Sequence, residues 1–272
     1  MSTPVPPALV VRRRYVDTSF GQVHVAETGR SSLTDVPVVL LHQTPRSWDE
    51  YREVLPLLGA RHHVIALDTP GMGASDPVPG EQSIEAFAVG IIEAIDVLGI
   101  GRFHLVGHHT GGVIAVEVAA TMPERVDRVV LSSTPWIDAS DRVARRRRSP
   151  IDAVEARPDG GHLCELWQRR RGFYPDGRPD LLNRFVRDAL AADDPEAGHR
   201  AVGSFEMEKR IGGLAGLPIL LVGHADDPHA FPYLDAMRHA LPHAEVREIA
   251  TGVVPLEFTA SEFADLVDAF LA

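Results

Sequence analysis

The sequence predicts an α/β fold, a mostly parallel doubly wound sheet carrying a helical insertion. Two observations lead there. Short, nearly continuous apolar runs alternate with segments whose apolar residues recur at helical spacing, and one long stretch, from about Pro135 to Gly213, abandons that alternation.

Taken in order, Tyr15 to Glu27 alternates apolar and polar residues as an antiparallel edge hairpin would. VPVVLLHQ (Val36 to Gln43) and HHVIALD (His62 to Asp68) read as central strands covered on both faces, and Pro37 stands at the first one's entry, where a missing amide is tolerated. Between them Ser47 to Leu58 has helical spacing, with Ser47 as N-cap ahead of Glu50. The pattern repeats: helix from Ile84 to Ile100, strand from Phe103 to Gly107, helix from Thr110 to Ala120, strand from Arg128 to Ser133. It resumes with a strand at Pro218 to Gly223, a helix near Tyr233 to Ala240, a strand near Glu245 to Ile249 and a closing helix from Ser261 to Leu271. Such alternation implies right-handed crossovers in one doubly wound sheet. The expected division is therefore a core of 1–134 and 214–272 with a helical lid at 135–213.

A chain of 272 residues with 44% hydrophobic content can bury one large core. The net charge of −11 argues against nucleic acid or an anionic membrane as partner, because phosphate binding needs a basic surface. Arg12, Arg13 and Arg14 are followed by no apolar core, and no run reaches membrane-spanning length, so a cytoplasmic protein is expected. The single cysteine, Cys164, cannot form an internal disulfide and reads as a small buried apolar residue. The expected partner is a small-molecule or modified-peptide substrate, and a homo-oligomer is compatible with this composition.

Three motifs carry chemistry. LLHQTP ends the first central strand, LDTPGMGASD follows the next, and GHHTGG sits between a strand and a helix. The last has the context of a nucleophile elbow, G-x-S-x-G, with Gly107 and Gly111 at the glycine positions and His109 where the nucleophile stands. In that order and spacing, the chain outside the insertion resembles the α/β-hydrolase fold. The resemblance implies that the backbone amides of Thr44 and Thr110 converge as an oxyanion site. It also puts the triad acid after the next-to-last strand, at Asp226 with Asp227 as a neighbouring candidate. The triad histidine would fall at Val253, in IATGVVPLEF, and valine can neither take nor return a proton.

His109 is thus the candidate catalytic residue, with its ring expected to reach toward Asp226. HQTPRSW, GHHTG and the missing terminal histidine together resemble the atypical group that includes the bottromycin peptide epimerase. That resemblance implies a cofactor-free epimerase or isomerase acting at an aspartyl α-carbon beside a thiazoline, with the base supplied by the protein or by a carboxylate of the substrate itself. A hydrolase using His109 and a non-catalytic binding protein remain the alternatives. His42, Gln43, Trp136, Trp167, Phe173 and Val253 are the candidate substrate-lining residues, although His42 also fits an architectural role and the lid aromatics also fit a core of their own. His108 reads as packing beside the elbow. His224, Asp226, Asp227 and His229 lack an established ligand spacing, so no metal is expected. The arginine runs at Arg142 to Arg148 and Gln168 to Gly172 read as solvated faces, or as recognition of a carboxylate.

Overall fold

The computed structural model describes residues 9–29, 36–145, 149–250 and 255–272. Eight strands form one sheet: β1 (Arg12–Thr18), β2 (Gly21–Thr28), β3 (Val38–Leu41), β4 (Val64–Leu67), β5 (Phe103–His108), β6 (Val126–Ser132), β7 (Ile219–His224) and β8 (Glu245–Ile249). Their spatial order is β1-β2-β4-β3-β5-β6-β7-β8. The β1–β2 hairpin is antiparallel and joins β4 antiparallel, while β4, β3, β5, β6, β7 and β8 run parallel. Every residue of β3, β4, β5 and β7 is buried, which is why these strands are apolar throughout rather than alternating.

Helices cover both faces. Those of the core are α1 (Val54–Leu58), α2 (Ile84–Val97) and α3 (Thr110–Thr121); between β6 and β7 the described chain contains α4 (Ala139–Arg145), α5 (Gly161–Arg170), α6 (Pro179–Ala191), α7 (Ala197–Ser204) and α8 (Met207–Arg210). After β7 come α9 (Leu234–Ala240), α10 (Pro255–Phe258) and α11 (Ala260–Leu271). Phe87, Ile91, Val113 and Met237 pack one face of the sheet, and Leu55, Leu58, Phe263 and Val267 pack the other. α5 and α6 enclose a smaller cluster around Leu166, Leu181 and Phe185.

Two local expectations are corrected. Ser47 to Leu58 is not one helix: Ser47 caps a 3-10 turn at Trp48–Tyr51, accepting from the Asp49 amide at 3.3 Å, and α1 starts only at Val54. Glu50 closes no capping box, because its carboxylate turns instead to the backbone of Gln43. Cys164 is exposed, since α5 directs Leu166 rather than Cys164 into the small cluster.

The strand order positions the site. β3 has β4 on one side and β5 on the other, so the loops leaving β3 and β5 diverge from adjacent strands and open a crevice at their carboxyl ends. Gln43 and Thr44 follow β3, and His109 follows β5.

Candidate active site

His109 links β5 to α3 with φ 48° and ψ −114°, a left-handed backbone that a residue with a side chain adopts only under constraint. The glycines around it supply that constraint. A Cβ on Gly107 would lie 2.3 Å from the Gly111 carbonyl oxygen, and one on Gly111 would lie 2.0 Å from that of Leu41. The turn closes only without those side chains, and it projects the His109 ring into the crevice at the N-terminus of α3.

The ring meets Asp227, on the loop after β7. His109 Nε2 lies 2.7 Å from Asp227 Oδ2, within hydrogen-bonding distance of the carboxylate. Asp227 is buried, and its Oδ1 accepts the amides of His229 at 2.9 Å and Ala230 at 3.2 Å. This corrects the expectation that the ring reaches Asp226. The backbone at the end of β7 turns the Asp226 side chain to the exposed surface and the Asp227 side chain inward. Desolvation pushes the Asp227 carboxyl up, but the His109 ring and the loop amides outweigh it and hold its pKa well below the carboxylate range. For His109 burial pulls down while Asp227, with help from Glu50, raises, and the net shift is upward from 6.5. In the neutral ring the proton belongs on Nε2, facing the carboxylate, which leaves Nδ1 as the basic nitrogen.

Thr44 and Thr110 line the same cavity as His109. The loop after β3 is braced from below by the buried Glu50, whose Oε2 accepts the Gln43 amide at 2.8 Å and whose Oε1 takes the Gln43 side-chain amide. Burial pushes the Glu50 pKa up, against the pull of Arg46 and the Gln43 donors. From above, α7 crosses Thr44 so closely that a Cβ on Gly198 would stand 1.7 Å from Thr44 Oγ1.

His42 does not line the cavity, contrary to its place among the substrate-lining candidates. It is buried, Nδ1 bonds the Gln43 carbonyl at 2.8 Å, and Nε2 accepts the Thr69 amide at 2.9 Å, so both nitrogens are consumed in tying two loops together. Burial lowers its pKa and keeps the ring neutral for this task. Gln43 does line the cavity. Trp136 packs against the main core instead, and Trp167 packs beside the α5–α6 cluster, on an outer groove away from His109. Phe173 lies at the deep end beside His109, Tyr174 and Phe185, 5.2 Å from the His229 ring. Phe205 and Met207 belong to the main core. Val253 lies outside the described residues.

His108 points away from the cavity. Its Nδ1 is 3.0 Å from Ser132 Oγ, which is itself 3.0 Å from His224 Nε2, and burial drives both imidazoles toward neutrality, His224 to about 3. The cavity itself measures about 220 Å³, and its far wall comes from the insertion, through Arg145, Ile151, Arg170 and His199. Sequence reading singled out none of these four. Arg145 and Arg170 stood inside arginine runs open to two readings, a solvated face or recognition of a carboxylate, with no single arginine distinguished, and a partner such as Asp152 is invisible until α5 and α7 are placed.

Chemically, this is an imidazole–carboxylate pair at the strand ends of a doubly wound sheet, beside Thr44 and Thr110, with histidine rather than a hydroxyl residue at the nucleophile position of the elbow. Residues 36–252 match the α/β hydrolase fold family. Haloalkane dehalogenase 2 of Mycobacterium bovis is 32% identical over 224 residues, covering 80% of this chain and 73% of that protein. Bifunctional epoxide hydrolase 2 of Sus scrofa is 31% identical over 210 residues, 76% of this chain but 34% of that protein. Among solved structures, an enol-lactonase from Burkholderia xenovorans aligns with a TM-score of 0.74 at 19% identity, over 95% of this chain and 99% of that chain, a likeness of fold alone. On the strength of the family match and these identities, the chain belongs to the α/β-hydrolase fold family.

Proposed function

We propose that the chain is a cofactor-independent epimerase or isomerase, in which His109 removes a proton from a carbon next to a carbonyl and returns it. The observation that carries this reading is the 2.7 Å approach of His109 Nε2 to Asp227 Oδ2 at the elbow, where a hydrolase of this fold places its serine. A triad needs a hydroxyl, an imidazole and a carboxylate. Here the imidazole stands in the hydroxyl's place and takes the carboxylate directly.

The step balances without a covalent intermediate. Nδ1 accepts the proton, the C–H electron pair moves into the carbonyl to form an enolate, and the amides of Thr44 and Thr110 stabilise the oxyanion. Asp227 stabilises the imidazolium, which then returns its proton to the enolate: return to the same face regenerates the starting isomer, and inversion follows when the enolate turns its other face to Nδ1, with solvent exchange at the same carbon in both cases. The resemblance to the bottromycin epimerase group suggests an aspartyl α-carbon beside a thiazoline as the reacting centre.

A second reading is favoured by the relatives, whose names are those of a dehalogenase and an epoxide hydrolase. In it His109 deprotonates water and the chain hydrolyses an ester or amide directly. Incubation in D₂O with a thiazoline-containing aspartyl peptide and with activated esters, followed by mass spectrometry, separates the two. Deuterium uptake at one carbon with the backbone intact, lost in His109→Ala, supports the epimerase. Addition of water without carbon-bound deuterium sinks it in favour of hydrolysis.

A further inference from the structure

The far wall of the cavity holds a second constellation, built from the insertion. Asp152 is buried, and its carboxylate is shared between two cationic or donor groups: Oδ1 takes Arg170 Nε at 2.6 Å, and Oδ2 takes Arg170 Nη2 together with His199 Nε2 at 2.7 Å. Burial alone would raise the Asp152 pKa, but His199 and Arg170 bring it below the ordinary value, so the group is a fixed carboxylate. Its backbone is fixed as well. Glu196 Oε1 accepts the amides of Ile151 at 2.8 Å and Ala153 at 2.9 Å, and that of Asp152 between them. Arg170 is further held over the rings of Phe185 at 4.9 Å and Phe173 at 5.7 Å.

This is a preorganised arrangement with donors left over. The Asp152 fork uses Arg170 Nε and Nη2, which leaves Nη1 outside it, and His199 keeps Nδ1. Beside them stands Arg145. Among the described residues it makes no ion pair, and its Nε is buried without a hydrogen-bond partner. Arg145, Arg170 and His199 share the cavity wall with His109, and Arg145 and His199 also line an outer chamber of about 630 Å³. They stand at the neck between the two. Arg145 and Arg170 stand against two carboxylates, Asp152 and the Glu196 that braces it, so the charges there are matched before His199 is counted, while Arg145 Nε keeps no partner of its own.

We propose that Arg145, Arg170 and His199 form a carboxylate-binding subsite, and that the substrate is an organic acid whose carboxylate sits at this neck while its reacting carbonyl faces His109. Arg170 Nη1 and Arg145 Nε are charged N–H donors suited to a carboxylate, and Asp152 holds the Arg170 guanidinium in place before a ligand arrives. The remainder of the substrate extends into the outer chamber, which admits a ligand larger than the inner cavity alone. This assignment rests on the cavity being the reaction site, as read above, but not on which reaction occurs there.

The test is a binding titration, by ligand-observed NMR on the full chain, with phenylacetate, its neutral amide phenylacetamide and inorganic phosphate as probes. Phenylacetate is expected to bind saturably and at least ~10-fold tighter than the amide, with Arg145→Gln and Arg170→Gln each weakening it ~10-fold, as loss of a charge-assisted hydrogen bond implies. Lys209→Gln, which removes an exposed cation paired with Glu206 and lining neither chamber, should leave that affinity within about twofold. Because Arg145 makes no ion pair among the described residues, its variant remains informative even if Arg170→Gln folds poorly. Equal binding of acid and amide, wild-type affinity in Arg145→Gln, or an equal loss in Lys209→Gln would overturn the subsite. Tighter binding of phosphate than phenylacetate would also overturn it, reassigning the cations to a phosphoryl group. Binding as described with no deuterium exchange defeats the epimerase reading and leaves the subsite; exchange without acid binding does the reverse.

Discussion

His109 Nε2 and Asp227 Oδ2 are 2.7 Å apart, and each is held by a different part of the sheet: the ring by the strained turn after β5, the carboxylate by two amides of the loop after β7. The pair therefore forms as a by-product of folding the core, with neither side chain free to search for the other. A base preset in this way keeps its raised affinity for a proton whether or not substrate is present.

That affinity sets a pH dependence. The neutral ring is the reactive form, and its pKa lies above 6.5, so the exchange rate should rise with pH through an apparent value above 6.5 and then level. Asp227→Asn keeps an oxygen for the His229 and Ala230 amides but removes the charge. Only the downward pull of burial then remains dominant, and the rate profile should move to lower pH while its plateau falls. A profile in the variant that superposes on the wild type would contradict the pairing.

The same pair contributes to stability over a defined window. Asp227 is depressed on folding, so its contribution is present above the usual 3.8 and fades as pH falls through its folded value; His109 is raised, so its contribution is present below 6.5 and fades as pH rises through its folded value. Urea denaturation of Asp227→Asn should show a loss of about 1.5–3 kcal/mol between those limits, typical of a hydrogen bond to a charged group. The deficit should shrink toward both extremes of pH.

Glu50 offers a separate handle on the loop after β3. Glu50→Ala takes the acceptor from two donors of the half-buried Gln43 and should lower stability by about 1–3 kcal/mol in all. Glu50→Gln retains an acceptor oxygen and should cost less while slowing turnover, because the Thr44 amide depends on that loop. Equal denaturation midpoints for the two variants would remove Glu50 from this role.

Where α7 crosses the loop, Gly198→Ala would set a Cβ 1.7 Å from Thr44 Oγ1 and 2.7 Å from its Cβ. Overpacking of this kind costs about 1–3 kcal/mol, and turnover should fall with it. Thr44→Gly in the same chain removes both clashing atoms, so the double variant should recover part of the loss, a coupling read from a double-mutant cycle. Strict additivity would show that the two segments do not touch.

The core was legible because its strands are buried on both faces and so read as unbroken apolar runs. β8 was read at the residues it occupies, Glu245–Ile249, and β5 extends one residue past the expected end. The elbow was legible for another reason: Gly107 and Gly111 are required by backbone contacts, and such glycines survive in sequence as a motif. Which of two adjacent aspartates faces inward was not legible, because a single residue of phase after β7 decides it. His42 stood open between an architectural and a cavity-lining role for a similar reason, since a histidine buried with both nitrogens satisfied is written with the same letter as one lining a cavity, and the architectural role is the one it has. The cationic wall was the least legible part. Arg170, His199 and Asp152 are brought together by the packing of α5 and α7 and share no local pattern.

The most direct test of the proposed base is an NMR titration of ¹⁵N-histidine-labelled protein, following the His109 ring assigned by comparison with His109→Ala. A pKa above 6.5, with the proton of the neutral ring on Nε2 and both features lost in Asp227→Asn, is the expected result. A pKa at or below 6.5, or a neutral ring protonated on Nδ1, would mean that Asp227 does not hold His109 as a base, and the proton-transfer mechanism would fall with it.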